Sequence, residues 1–167
     1  AMAQMIDATL DYLRGLRESE LPRPIDVNAL LDSLAEDSSA LGRPIGIEGT
    51  ALSSYPGRLS ALRRALQNLI DNAFKYGVAP RMRIEDSPDT LRLIVEDDGP
   101  GIPPESLARV TEPYYRPDAA RASDTGGVGL GLSIVKDVAL LHGGGLRLVN
   151  KPQGGLEATL ELPRKTA

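Results

Sequence analysis

The sequence predicts an α+β sandwich, with helices on one face of a mostly antiparallel mixed sheet. Three observations carry this. Four stretches repeat apolar residues at helical spacing, short alternating stretches follow them, and glycine or proline clusters separate the two kinds. Two of the alternating pairs are joined by tight turns, which makes most of the sheet antiparallel.

The elements follow in order. Residues 3–16 carry Met5, Ile6, Thr9, Leu10, Tyr12, Leu13 and Leu16 as an apolar stripe, ended by Gly15 and the Pro22/Pro24 pair. A second helix spans 26–41, with Asp26 as N-cap, Val27, Leu30, Leu31 and Leu34 on one face, and Gly42 beyond its end. Ile45 and Ile47 alternate as a strand. A third helix spans 57–76, with Leu59, Leu62, Leu66, Leu69, Ile70 and Ala73 inward and Gly77 as terminator. Met82/Ile84 and Leu91/Leu93/Val95 read as two antiparallel strands across the turn Ser87-Pro88-Asp89. Pro103 and Pro104 open a short helical turn. Residues 111–127 lack periodicity and read as a loop of the kind that serves as a lid. A fourth helix spans 128–142 and stops at Gly143-Gly144-Gly145. Leu146/Leu148 and Leu156/Ala158/Leu160/Leu162 close the sheet as a hairpin across Gln153-Gly154-Gly155.

The chain has 167 residues, enough for one compact domain, and 41% hydrophobic with 25% charged residues is ordinary for a globular protein. No cysteine is present, which excludes disulfides and thiolate metal sites, and a single histidine excludes a multi-histidine metal cage. A net charge of −4 argues against nonspecific nucleic-acid binding. No apolar run approaches the roughly 20 residues of a membrane helix, and no signal peptide is visible. The expectation is a cytoplasmic domain without direct membrane contact. Of the six aromatic rings, Phe74, Tyr76 and Tyr115 are placed by the sequence in or beside the candidate site.

Three motifs carry chemistry. In Asn68-Leu69-Ile70-Asp71-Asn72-Ala73-Phe74-Lys75-Tyr76, Asn68 and Asn72 lie four apart and project from one helix face, with Lys75 and roughly Tyr76. Alone, this reads equally as two exposed asparagines on an amphipathic helix. Magnesium takes oxygen ligands and shares them with substrate phosphates, so an Asn72 carbonyl suits it, and Lys75 offsets phosphate charge.

The second motif, Asp98-Gly99-Pro100-Gly101-Ile102, follows a strand. A carboxylate in a glycine turn accepts a hydrogen bond from the six-position amine of adenine, where guanine has a carbonyl, and the glycines let the backbone approach a base without a Cβ clash. By itself the string is also a plain Asp-Gly turn. The third, Gly127-Val128-Gly129-Leu130-Gly131-Leu132, enters a helix, where N–H groups and the helix dipole suit an anion. It follows a polar loop, so it is not a dinucleotide-binding turn, and it lacks the Gly-Lys-Ser/Thr of a P-loop.

In order and spacing these motifs resemble the catalytic ATP-binding domain of bacterial sensor histidine kinases, within the GHKL family of ATPases and its Bergerat fold. The resemblance spans roughly residues 24–163. It implies ATP and Mg2+ as ligands, with Asn68, Asn72, Lys75, Tyr76, Asp98, Gly99, Gly101, Ile102, Tyr115, Arg116, Gly127, Val128, Gly129, Leu130, Gly131 and Leu132 around the nucleotide and Asn72 on the metal. In hydrolytic relatives a glutamate usually stands where Asn68 stands. A neutral amide is no general base, which favours transfer to another acceptor over hydrolysis. Residues 111–127 resemble the family's lid, and Arg116 and Arg121 there would act with Asn68 and Lys75 on the transferred phosphoryl group. Residues 1–17 resemble the end of a dimerisation and phosphotransfer helix, leaving 18–167 as the catalytic domain. Leu156 departs from the threonine of many relatives. His142 resembles a structural histidine of the family. The implied partners are the phosphotransfer domain of a parent kinase and, through it, a response regulator; the implied parent is an inner-membrane sensor. Two other readings stay open at this level: a GHKL-type hydrolase and a non-catalytic nucleotide-sensing module.

Overall fold

The computed structural model describes residues 20–112 and 131–164. The expected helix at 3–16, the 1–17 segment and most of the 111–127 loop lie outside the described residues. The elements run β1 (Arg23–Ile25), α1 (Val27–Ala40), β2 (Gly46–Glu48), β3 (Tyr55–Gly57), α2 (Leu59–Tyr76), β4 (Arg81–Asp86), β5 (Thr90–Glu96), α3 (Gly131–Leu141), β6 (Gly145–Asn150) and β7 (Leu156–Pro163). Five strands form one sheet in the order β2-β4-β5-β7-β6, and β1 pairs with β3 apart from it. The β2–β4 pair is parallel and the other pairs are antiparallel, so the sheet is mixed and mostly antiparallel as expected.

Period-two alternation sets which face is buried. Met82 and Ile84, Leu91, Leu93 and Val95, and Ala158, Leu160 and Leu162 point into the core. There they meet Leu62, Leu66, Leu69 and Ile70 of α2 and Val135, Val138 and Ala139 of α3. Each buried Val, Leu, Ile or Met side chain among them contributes about 1.5–3 kcal/mol by leaving water. The opposite sheet face carries paired charges instead: Arg81 with Glu96 at 3.0 Å, Arg83 with Glu157 at 3.2 Å and Arg92 with Glu161 at 3.8 Å. One face for helices and one for charge makes two layers.

Helix α1 starts as the sequence predicts, since Asp26 Oδ1 accepts from the Ala29 N–H at 3.0 Å. Helix α2 does not start at 57. Residues 55–57 instead pair with β1, Ile25 opposite Tyr55, and the helix begins at Leu59. Arg58 gives it no side-chain cap. The cap comes from Glu20, whose carboxylate accepts from the Ser60 and Ala61 N–H groups at 3.0–3.3 Å. A three-residue strand containing proline has too little pattern to be seen in sequence.

A forked ion pair fastens the end of β7. Arg164 donates to both oxygens of Asp86 at 2.8 Å and to the Ser53 and Ser54 carbonyls. The Asp86 side chain is 2% exposed and that of Arg164 12%. The guanidinium also lies 5.7 Å from the Tyr55 ring centre.

Candidate functional site

The inward parity of β5 runs one step past the strand. Leu91, Leu93 and Val95 face the core, and Asp97 continues their row, 5% exposed. Its Oδ1 accepts from the Gly99 N–H at 2.8 Å. The carboxylate sits where α2 ends: a Cβ on Gly77 would overlap it, and a Cβ on Gly99 would come within 2.8 Å of the Gly77 Cα. Two glycines therefore form the walls of this acid. One N–H uses only part of the acceptor capacity of a carboxylate, so lone pairs remain for a donor.

Here the structure sets two adjacent acids apart. Asp98 was expected to be the base-contacting acid, but its side chain is 51% exposed and already held by two cations. Arg81 donates to both its oxygens at 3.1 Å and Lys151 to Oδ1 at 2.9 Å. Hydrogen bonds from Arg81 first and Lys151 second lower its carboxyl to about 2. A solvated carboxylate with saturated cationic partners is a poor selector of a neutral amine, whereas an enclosed acceptor-only group is a good one. One signal in the sequence pointed to Asp97: the parity of β5, which runs from Leu91, Leu93 and Val95 to Asp97.

The turn is braced from behind. The Asp97 N–H donates to the Leu156 carbonyl at 3.1 Å and the Asp98 N–H to the Val78 carbonyl at 2.7 Å. Leu156 takes part through its backbone, so the absent threonine leaves this bond unchanged. Gly155 has φ +101°, and a Cβ there would overlap the Asp97 carbonyl. Asn150 holds Ile102 at both backbone groups, accepting from its N–H at 2.9 Å and donating to its carbonyl at 2.7 Å. Gly101, at φ +76°, gives the left-handed turn between them. Asn150 was not singled out in the sequence, because it belongs to no local motif, and Gly155 was read there only as part of a hairpin turn.

Asn68 and Asn72 are half-buried on one face of α2, and the first described residue of α3 lies against them. A Cβ on Gly131 would sit 3.5 Å from Asn68 Oδ1 and 3.8 Å from both terminal atoms of Asn72. Asn68 Nδ2 donates to the Arg64 carbonyl at 3.0 Å, which fixes its amide with the oxygen toward Gly131. Lys75 and Tyr76 follow on the same helix and are exposed. Phe74 does not join them. It packs under Arg43, whose guanidinium carbon is 4.9 Å from the ring centre, and Arg43 also pairs with Asp71 at 3.0 Å. Leu132 is half-buried beside Gly131. Tyr115, Arg116, Arg121, Gly127, Val128, Gly129 and Leu130 lie outside the described residues.

His142 is structural. Its Nε2 accepts from the Arg58 N–H at 3.0 Å and its Nδ1 lies 2.8 Å from the Val138 carbonyl. An acceptor role at Nε2 places the proton on Nδ1, so the ring is neutral and both nitrogens are occupied. Burial is the first cause of its lowered pKa, with the Arg58 charge acting the same way.

A nucleotide and magnesium fit this donor set. The described residues hold no group of three or more His, Asp or Glu side chains able to bind a metal. A cation here would rest on asparagine oxygen and phosphate, which suits magnesium's demand for oxygen ligands shared with substrate phosphates. From Asn68 to Tyr76 the helix rises about 12 Å, and Asp97 lies just past that end. The two amides and the acid thus follow one another along α2, with Asp97 just past its end.

Comparison with known proteins decides the family. Residues 57–166 match the profile described as histidine kinase-, DNA gyrase B- and HSP90-like ATPase. The chain belongs to this family. The resemblance to the catalytic ATP-binding domain of sensor histidine kinases is borne out by relatives as well. The sensor histidine kinase GtrS of Pseudomonas aeruginosa is 44% identical over 161 residues, covering 96% of this chain and 33% of that protein. The sensor histidine kinase CpxA of Escherichia coli is 33% identical over 173 residues, covering 96% and 38%. The chain thus spans about a third of these relatives. Among solved structures, a mycobacterial sensor histidine kinase, MprB, superposes with a TM-score of 0.71 at 33% identity, covering 84% of this chain and 97% of that one. The ATP-binding domain of PrrB from Mycobacterium tuberculosis gives 0.70 at 27% identity, covering 88% and 100%. The expected two-layer fold is thus shared with solved sensor histidine kinase domains.

Proposed function

We propose that this chain is the catalytic domain of a sensor histidine kinase, which binds Mg-ATP and passes its γ-phosphoryl group to a histidine on a separate phosphotransfer domain. The observation that carries the nucleotide reading is the Asp97 carboxylate, enclosed by Gly77 and Gly99 at the end of the helix that bears Asn68 and Asn72. An acceptor-only acid there takes the six-position amine of adenine and repels the guanine carbonyl. Asn72 would supply an oxygen to Mg2+, whose charge would offset that of the phosphates. Lys75 adds a cation at the same face. By resemblance, Tyr115, Arg116, Arg121 and the glycine segment 127–132 complete the site.

In the transfer, the bond from the γ-phosphorus to the bridging oxygen breaks, a bond to the acceptor imidazole nitrogen forms, and ADP leaves. Positioning and charge stabilisation carry such a step. Asn68 favours this outcome over hydrolysis, because a neutral amide does not deprotonate water. The partners are then a phosphotransfer domain and a response regulator, and the setting is the cytoplasmic side of an inner-membrane sensor. Among the described residues no helix is long and apolar enough to cross a membrane.

The test is labelling with γ-labelled ATP. The fragment mixed with the phosphotransfer domain of its parent should label that domain's histidine, while the fragment alone should stay unlabelled, His142 included. Rapid phosphate release without transfer would favour the hydrolase reading and overturn this one.

A further inference from the structure

Asp98 is left without a ligand-contacting role, yet it is among the most connected surface side chains of the site. Four segments meet around Asp97: the 77–80 link after α2, the start of β4, the 97–101 turn and the 151–155 turn. The Asp98 N–H reaches the Val78 carbonyl at 2.7 Å. Its carboxylate takes Arg81 from β4 in a fork at 3.1 Å and Lys151 from the far turn at 2.9 Å. Arg81 in turn donates to the Ala79 carbonyl at 3.1 Å and to Glu96 at 3.0 Å. Ala79 has φ +52°, a conformation unfavourable for a residue with a Cβ, so the 77–80 link needs external support. The far turn presses on the other side, with Gly155 against the Asp97 carbonyl and Leu156 accepting its N–H. The two segments that grip Asp97 are therefore tied to one another through the side chain of its neighbour.

We propose that Asp98, through its ion pairs with Arg81 and Lys151, is a positioning residue for Asp97: it locks the 77–80 link and the 151–155 turn on either side of that carboxylate and so sets how sharply the site discriminates purines by their six-position group. This rests on the reading of Asp97 as the base-contacting acid. A bidentate arginine with a lysine on the same carboxylate forms a network, the arrangement in which exposed pairs retain an effect. Because the clasp is solvated, added salt weakens it.

The experiment is calorimetric titration of the full chain with Mg-ADP and with Mg-inosine diphosphate, which has a carbonyl where adenine has the amine. Wild type should prefer ADP, and Asp97→Asn should abolish the preference. Asp98→Ala and Lys151→Met should each lower the preference about fivefold, the scale of such an ion-pair network. Their inosine diphosphate affinity should stay near wild type, and Asp98→Glu should recover part of the loss. The gap between Asp98→Ala and wild type should narrow as salt rises. Thermal melts confirm that each variant is folded. If Asp97→Asn abolishes the preference while Asp98→Ala and Lys151→Met keep it, the positioning role is wrong and the base reading stands. Equal loss of both nucleotides in the Asp98 and Lys151 variants also overturns it, as general loosening. If Asp97→Asn changes nothing, the base reading fails and this inference with it.

Discussion

The Asp97 carboxylate rests directly on the Cα of Gly77, so close that any side chain at position 77 would occupy its place. A helix terminator and a strand-end acid, twenty residues apart in sequence, thus form one structural unit. Asp97→Asn keeps the size and replaces an acceptor by a mixed amide. It should weaken ADP binding by about 1.5–3 kcal/mol, the range for a hydrogen bond to a charged group. Gly77→Ala should weaken it as well, by displacing the acid. Unchanged calorimetric affinity in both variants would remove the base assignment.

Asn72→Ala should weaken nucleotide binding in magnesium far more than in a chelator, because the proposed site uses its side-chain oxygen as a donor to the metal. Parallel titrations with and without magnesium read this directly. Equal losses in the two would show that Asn72 is not a ligand.

Arg164→Ala should be the most destabilising single change outside the apolar core. It leaves the Asp86 carboxylate, 2% exposed, without its charge partner. Breaking such a pair costs about 3–5 kcal/mol. Urea unfolding followed by circular dichroism measures it; a loss below about 1 kcal/mol would place this pair with ordinary surface bridges. The Arg164 hydrogen bond first holds the Asp86 carboxyl below the usual carboxylate range. Its contribution is present above the unfolded carboxylate value and is lost as pH falls through the lowered one.

His142 gives a second, higher pH window. Its folded pKa lies below the ordinary 6.5, chiefly through burial, with Arg58 acting the same way and Val138 and Glu20 opposing. The folded state therefore prefers the neutral ring. Its contribution is complete above the unfolded value and disappears as pH falls below 6.5 through the lowered value. Stability measured between pH 7.5 and 5 should fall toward the acid end, and His142→Gln should flatten that slope. A slope unchanged by the substitution would assign it to other groups.

The main fold was legible in the sequence because its elements have strong periods. The apolar row of α2 from Leu62 to Ala73 and the alternation of β4, β5 and β7 match the buried residues; Leu59, also expected inward, is exposed in the first turn of the helix. The β1–β3 pair was not legible, since three-residue strands such as Tyr55-Pro56-Gly57 carry no period. The start of α2 was missed for a related reason: its cap, Glu20, comes from distant sequence. Within the site, Asn68 and Asn72 were found by spacing and do share a face beside Gly131. Asp97 and Asp98 are adjacent carboxylates with opposite fates. Reading the acid from its glycine neighbours chose Asp98, whereas extending the strand parity by one step chooses Asp97. Phe74 was placed near the site by sequence proximity, but the helical turn carries it round to Arg43.

Glu20 sets where this domain can be cut. Its carboxylate closes the free amides of α2, and its carbonyl accepts from Arg58 Nε at 2.8 Å. Arg58 then meets His142 at the end of α3. A truncation that begins at the first strand would keep every element of the sandwich and still remove the stopper from the helix that bears both asparagines. For anyone trimming the protein to its smallest working unit, the boundary therefore falls before residue 20, three positions ahead of the first strand among the described residues.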